Sequence, residues 1–400
     1  MIAGADFVIV GLSPWYMDLG SNCKNIARQL SRHNRVLYVN LPLDRSSIRH
    51  RKEEAGIRRH MEIIEQKQGD LTEVQLNLWV YYPPTILESI NRIPFTSVFS
   101  LFNRINNRKF AADIRDAMRR LEMKDAFLFN DNEIFRCFYL KDFLQPRLYI
   151  YYSRDYLLGV DYWKKHGTSL EPKHIARADV GVANSEYLAK YLQKYNPNSY
   201  YIGQGCDLAT FDASKSYPVP ADLQGISHPV IGYIGAISSL RIDAEAIRRI
   251  AVERPQYQLV LVGPEDEVFQ RSDLHNYPNI HFLGRKPIGD LPACAAAFDI
   301  CINPQLINPV TIGNYPLKVD EYLAMGRPVV ATRTDAMRIF GEHAYLAEGP
   351  ADYPALVDRA LAEDTAERRT QRIALAHSHS WENSVGALSA AIEKTLAGRG

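Results

Sequence analysis

The stretch Asn314-Tyr315-Pro316-Leu317-Lys318-Val319-Asp320-Glu321 places a proline, a lysine and a glutamate within one or two helical turns. Proline, with its fixed φ, is expected in the first turn of a helix, where free backbone N–H groups and the positive end of the dipole attract an anion. Lys318 falls in that turn although the dipole disfavours a cation there by about 0.3–1 kcal/mol, a conflict that a bound diphosphate would remove. Glu321, three residues on, offers a carboxylate able to accept hydrogen bonds from two adjacent hydroxyls such as those of ribose. The same spacing also suits a solvated ion pair on a helix surface. Arg241, just ahead of a helix that Asp243 would cap, and Arg285, after Gly284, are further cations at the ends of apolar runs. Both point to phosphate, and a salt bridge is the other reading for Arg241.

Such residues act only if the chain positions them. Short β-branched or aromatic runs alternate with helical patterns from end to end, which indicates parallel α/β layering. Strands are expected at 6–11, 35–40, 74–82, 126–130, 147–152, 179–183 and 199–202, with helices at 22–33, 105–121 and 185–194 among them. Pro218, Pro220 and Pro229 mark 214–228 as a linker. The pattern then restarts, with strands at 229–235, 257–262, 280–283, 299–303 and 328–331. Helices are expected at 243–253, 288–297 and 315–325, and two more, 366–376 and 381–396, end the chain. The expectation is two doubly wound domains, 1–213 and 229–380. Ligands of open α/β sheets bind beyond the carboxyl ends of the strands. The candidate loops are therefore Gly11–Gly20, Tyr151–Asp155, Gly235–Asp243, Gly263–Glu267 with Pro264, Gly284–Ile288 and Asn303–Leu317.

Bulk properties narrow the chemistry. Four hundred residues exceed what one core usually organises. A formal net charge of +1 gives no global attraction to nucleic acid. The row 45–60 concentrates Arg45, Arg49, Arg51, Lys52, Arg58 and Arg59 against Glu53 and Glu54, which fits a solvated loop, an acidic acceptor or an anionic membrane surface. Residues 93–110, where Phe95, Phe99, Leu101 and Phe102 precede Arg104, Arg108 and Lys109, fit either a core-facing segment or a membrane surface. Five scattered cysteines without C-x-x-C spacing suggest a reducing compartment and no structural zinc. The N-terminus lacks signal-peptide features, and no run approaches the roughly 20 apolar residues of a membrane span. A cytoplasmic location is expected, with room for peripheral contact at the inner face of the membrane through 45–60 and 93–110. No D-x-D triplet follows a strand, so no metal is expected and Arg and Lys would replace it. G-x-G-x-x-G, the P-loop and the G-x-S-x-G elbow are absent, which argues against dinucleotide, ATP and serine-hydrolase chemistry.

The strongest motif is Asn314-Tyr-Pro-Leu-Lys-Val-Asp-Glu-Tyr-Leu-Ala-Met-Gly-Arg-Pro-Val-Val-Ala-Thr332. With it go Ser13-Pro-Trp15 and Arg35–Asn40, Ala178-Asp179 and Asn184-Ser185, Ile202-Gly-Gln-Gly-Cys-Asp207, Gly232–Ile237 and Asn279–Gly284. Together these resemble retaining GT-B glycosyltransferases of the large family-4 type, especially the branch of teichuronic-acid and exopolysaccharide transferases. The resemblance covers most of the chain. It implies two Rossmann-like domains facing a cleft, with a C-terminal helix, about 381–400, that crosses back to the N-terminal domain. It implies that Glu321 is the second Glu of the family's E-x7-E pattern and binds the donor ribose. The first falls on Gly313, so the group contacting the transferred sugar comes from backbone or elsewhere. Tyr151-Tyr152-Ser153-Arg154-Asp155 is similar to the branch's tyrosine-rich strand end, which makes Asp155 the candidate to orient or deprotonate the acceptor hydroxyl, a capping role being the alternative.

Taken with the loop positions, the expected nucleotide-sugar ligands are Gly235, Arg241, Gly263, Pro264, Arg285, Asn314, Tyr315, Pro316, Leu317, Lys318 and Glu321. Asp155, Arg241 and Lys318 are the expected catalytic groups. The implied activity is metal-independent transfer of a sugar to a saccharide or lipid-linked acceptor, with no cofactor beyond the nucleotide-sugar co-substrate. Its rivals are a non-catalytic nucleotide-sugar-binding scaffold and an epimerase or inverting transferase on the same fold.

Overall fold

Strands that read as unbroken apolar runs must be covered on both faces, and this chain builds two such sheets. The computed structural model describes residues 1–17, 21–66, 69–206 and 208–398, so Gly20 and Asp207 of the expected loops and motifs lie outside the described residues. Residues 1–203 with the segment from Ser384 onward form one unit, and Gln204–Asn383 form the other. Among the described residues no helix is long and apolar enough to cross a membrane.

The first unit contains β1 (Asp6–Gly11), β2 (Arg35–Asn40), β3 (Leu71–Gln75), β4 (Leu78–Tyr81), β5 (Phe127–Asp131), β6 (Leu148–Ser153), β7 (Val180–Ala183) and β8 (Ser199–Tyr201). Their order is β3-β4-β2-β1-β5-β6-β7-β8, parallel except for the antiparallel edge pair β3–β4. Phe7, Ile9, Val36, Leu37, Phe129 and Ile150 are fully buried, each worth about 1.5–3 kcal/mol of transfer free energy. The second unit contains β9 (Val230–Ile234), β10 (Gln258–Val262), β11 (Ile280–Phe282), β12 (Ile300–Asn303), β13 (Val329–Thr332) and β14 (Ala344–Ala347), ordered β11-β10-β9-β12-β13-β14 and parallel throughout. That is the 3-2-1-4-5-6 order of a dinucleotide-type fold. Strand order reverses between β1 and β5 in one sheet and between β9 and β12 in the other. A crevice for ligand opens at such reversals.

Several local expectations change. The strand expected over 74–82 is a hairpin, because Asn77 adopts φ 62 between β3 and β4, a left-handed conformation that Asn tolerates. The basic row is helical: Asp44 accepts the Ser47 N–H at 3.0 Å to start Arg45–Arg51, and Ala55–Gln66 follows. The helix expected from 105 begins at Thr96 and runs to Arg120. The stretch 214–228 lies within the second unit, since Leu223 in a 3-10 turn is buried in that unit's core with Phe211 and Val230.

Candidate functional site

In the second unit, the carboxyl ends of β9, β10 and β11 are laced together by their glycines. Gly235 donates its N–H to Val262 (2.9 Å), and Gly263 donates to the Gly284 carbonyl (2.8 Å). Gly263 has φ 150, and a Cβ there would collide with the Gly235 carbonyl; Gly235 has φ 146. Only glycine permits both the angle and the approach. Pro264 accepts the Ile237 N–H at 2.8 Å, which fixes the loop leading to Arg241.

The helix Leu317–Ala324 docks onto this edge. Tyr322, buried on its inner side, accepts the Ile234 N–H at 2.8 Å. One turn earlier Lys318 lies on the same face. Its Nζ is 2.5 Å from the Tyr233 hydroxyl and 4.0 Å from that ring's centroid. A Cβ on Gly235 would come within 2.8 Å of the same nitrogen, so the bare glycine leaves room for the ammonium. A neutral phenol holds a cation by roughly 0.5–2 kcal/mol without cancelling its charge. The seat therefore positions a positive charge at the sheet's reversal point.

The start of that helix differs from the expectation. Pro316 is the cap residue and the centre of a tight turn (φ -85, ψ 71), and the helix begins at Leu317 rather than 315. The Leu317 and Val319 N–H groups donate to the carbonyls of Tyr315 (3.0 Å) and Pro316 (2.8 Å), so neither is the free anion donor that was expected. What remains for an anion here is chiefly the Lys318 charge. Asn314 Oδ1 is shielded from solvent with no hydrogen-bond partner among the described residues, an arrangement that costs about 1–3 kcal/mol unless a ligand donates to it. Glu321 is partly exposed on the next step around the helix.

Arg241 is anchored through its backbone, its carbonyl accepting the Leu306 N–H (2.8 Å) and its N–H donating to Ser238 (2.9 Å). The 303–316 loop is thereby tied to the 238–242 loop. The side chains of Arg241 and Arg285 are exposed, with no ion-pair partner among the described residues. A concavity of about 700 Å³ lies beside this loop against Asp243, Glu245, Glu267 and Arg271. Lys318 is not in its lining, and its carboxylates make it a poor place for a diphosphate.

Asp320 was not singled out from sequence. It is fully buried, accepting from His379 Nδ1 (2.7 Å) and from the Tyr315 hydroxyl (2.7 Å). Burial pushes its carboxyl above the usual value, while His379 and Tyr315 pull the other way. This joins the Lys318 helix to the end of the helix Ala366–Ser378. Fifty-nine residues separate Asp320 from His379, and no local pattern announces the pair. Tyr322 was legible in principle as the i+4 neighbour of Lys318.

In the first unit, Asp131 at the end of β5 accepts the Leu12 N–H beyond β1 (2.9 Å) and pairs with Arg154 Nε beyond β6 (2.8 Å). Arg154 reaches Asp155 with its Nη1 at 3.0 Å, and its own N–H donates to Asn132. Asp155 thus stands at a strand-end cluster across the β1/β5 reversal, with one oxygen engaged by Arg154. That occupancy suits orientation of a hydroxyl better than removal of its proton. The run Asn130-Asp131-Asn132-Glu133, fully buried although polar, was the available signal for this cluster. A separate concavity of about 1000 Å³ is lined by Arg45, Arg49, Arg92, Phe99, Tyr162 and Lys165, among others.

Comparison with known proteins adds to this geometry. The family described as Glycosyl transferases group 1 matches residues 228–363. Over 226 residues the chain is 29% identical to the Bacillus subtilis (strain 168) protein named "Putative teichuronic acid biosynthesis glycosyltransferase TuaH". That match spans 53% of this chain and 56% of the relative, little more than half of the relative's length. Sucrose-phosphate synthase from Thermosynechococcus elongatus matches with TM-score 0.67 at 16% identity, over 98% of this chain and 100% of the other. Anabaena HepE in complex with UDP and glucose gives 0.61 at 16% identity, over 98% and 100%. The structure described as trehalose-6-phosphate from E. coli bound with UDP-2-fluoro glucose gives 0.67 at 12% identity, over 96% and 98%. The two-sheet GT-B fold that the motif resemblance implied is therefore the fold of these solved structures, and the family match falls within the second unit.

Proposed function

We propose that this chain, bearing a group 1 glycosyl transferase domain on a GT-B fold, moves a sugar from a nucleotide-sugar to an acceptor hydroxyl. The observation that carries the reading is the Lys318 ammonium seated on Tyr233 beside bare Gly235, at the strand-order reversal of the second sheet. Breaking a sugar–phosphate bond puts positive character on the anomeric carbon and extra negative charge on the departing diphosphate. Fixed cations at the latter are stronger in the transition state than in the ground state and so accelerate the step. Lys318 supplies one such charge and Arg241 a second, without a metal or other cofactor.

Glu321 accepts from the donor ribose, and Asn314 Oδ1 takes a donor hydrogen bond from the bound nucleotide-sugar. Asp155, held by Arg154, orients the acceptor hydroxyl. The acceptor is a saccharide or a lipid-linked acceptor of a polysaccharide pathway, a reading supported by the named relative, and transfer proceeds with retention, a reading that rests on the motif resemblance alone. UDP is the first base to test, because solved neighbours hold UDP or a UDP-sugar. Five buried cysteines, none of them in a disulfide among the described residues, support a cytoplasmic setting.

A thermal-shift panel of UDP, GDP, dTDP, ADP and their sugars tests the donor site. One nucleotide at about 100 times its Kd raises folding stability by about 2.7 kcal/mol. No shift with any nucleotide overturns the reading. Nucleotide binding without release from any sugar donor and acceptor pair would leave a scaffold.

A further inference from the structure

The helix Thr96–Arg120 divides its apolar residues between two destinations. Phe99, Phe110, Ala111, Ile114 and Ala117 are buried on one side, with Asn103 and Asn106 between them. Phe95, at the cap, and Val98, Leu101, Phe102 and Ile105 are 69%, 42%, 62%, 43% and 47% exposed. At ~100° per residue these five share an arc of about 120° that faces away from the core. Single exposed apolar residues need no explanation, but two phenylalanines, a leucine, an isoleucine and a valine on one arc form a patch that water alone does not favour.

The charges along this segment itself have one sign. Arg92, Arg104, Arg108 and Lys109 are exposed, and no Asp or Glu occurs from Asn91 to Ala112. The guanidinium groups of Arg104 and Arg108 rest 5.9 and 5.7 Å from the ring centroids of Tyr139 and Phe143, which lines them along one flank. A second copy of the chain is a poor occupant, because a two-fold contact would set this cation row against itself. An acidic bilayer surface matches both features. Aromatic and aliphatic side chains enter the acyl boundary while the cations meet lipid phosphates, the pattern of a helix lying in the interface plane.

We infer that the exposed face of residues 95–109 docks the protein on an anionic lipid bilayer. This goes beyond the transfer reaction and does not depend on it.

Co-sedimentation of the full chain with phosphatidylglycerol/phosphatidylcholine vesicles, against phosphatidylcholine alone, tests it. Binding is expected to the anionic vesicles, to weaken as salt rises, and to fall about tenfold or more in Leu101→Glu/Phe102→Glu. Arg104→Glu/Lys109→Glu, which leaves the apolar arc intact, is expected to weaken binding about tenfold as well. Val252→Glu changes an exposed valine of the other unit and is expected to bind as the parent does. Failure to sediment with anionic vesicles overturns the inference. So does binding that both double variants retain, or a concentration-dependent dimer, seen by analytical ultracentrifugation, that Leu101→Glu/Phe102→Glu abolishes without any vesicle binding.

Discussion

Lys318 and its neighbours show how adjacent residues of one helix receive opposite tasks. Lys318 is held by a neutral ring and hydroxyl rather than by a carboxylate, so its charge stays available to an incoming anion. Asp320, two residues on, is fully buried, and Glu321 is partly exposed again, because each residue turns roughly 100° around the axis. Removing one preorganised electrostatic donor typically costs about 2.7–4 kcal/mol in the transition state. Lys318→Ala is therefore expected to lower kcat/KM by about 100- to 1000-fold, with the circular dichroism spectrum unchanged. Initial rates with the responding nucleotide-sugar decide it, and a loss within about threefold would sink the role. Lysine, proline and glutamate at this spacing were visible in the sequence. The tyrosine under Lys318 was not, because Tyr233 is on β9, 85 residues earlier, and meets it only through folding.

The helix Leu317–Ala324 is held at three places along its length: Lys318 to Tyr233, Tyr322 to Ile234, and Asp320 to His379 and Tyr315. The last is the most exacting, since a buried carboxylate that loses a donor keeps its full desolvation penalty. His379→Ala is expected to lower unfolding stability by about 1–3 kcal/mol in urea titrations. It should also raise KM for the donor more than it changes kcat, because it loosens the helix without removing a group from the reaction. Equal stability and equal KM would show that the His379 contact positions nothing. Element types followed well from periodicity where runs were long, as for β9, β10 and the helix Ala244–Glu253. They were misread where one residue redirected the chain, as Asn77 does between β3 and β4 and Pro316 does at residue 316.

At the scale of the whole molecule, two buried groups of the helix Asp161–Arg177 couple pH to stability with opposite signs. Burial raises Glu171, which accepts from Tyr151 and Tyr191, from 4.5 to about 7. Burial lowers His174, paired with the Tyr149 hydroxyl at 2.6 Å, from 6.5 to about 3. Between pH 4.5 and 6.5 the folded chain holds the extra proton on Glu171 and the unfolded chain holds it on the histidine. Their slopes cancel there. Of these two, Glu171 alone contributes above pH 6.5, and the pair's contribution falls until about pH 7; below 4.5 His174 alone does, and the pair's contribution falls toward about pH 3. Glu171→Gln removes one side of this balance. Its stability relative to the parent is expected to climb between pH 4.5 and 7 by up to roughly 3 kcal/mol. Urea midpoints of the two proteins at pH 5 and pH 8 measure it, and a constant difference would contradict the burial argument.

Sequence alone determined the α/β class, the two sheets and the loops where ligand could bind, because parallel strands buried on both faces must read as apolar runs and their carboxyl ends must carry the loops. It also marked Lys318, Glu321, Gly235 and Gly263, whose types are constrained by backbone geometry and charge. Tertiary structure decided which of these could act. It seated Lys318 on Tyr233, consumed two of the N–H groups expected for an anion, and tied Asp155 to Arg154 and Asp131. It also turned Phe95, Val98, Leu101, Phe102 and Ile105 outward, although their sequence fits a core-facing segment. Periodicity states that a helix has an apolar arc. Only the surrounding chain decides whether anything is there to cover it.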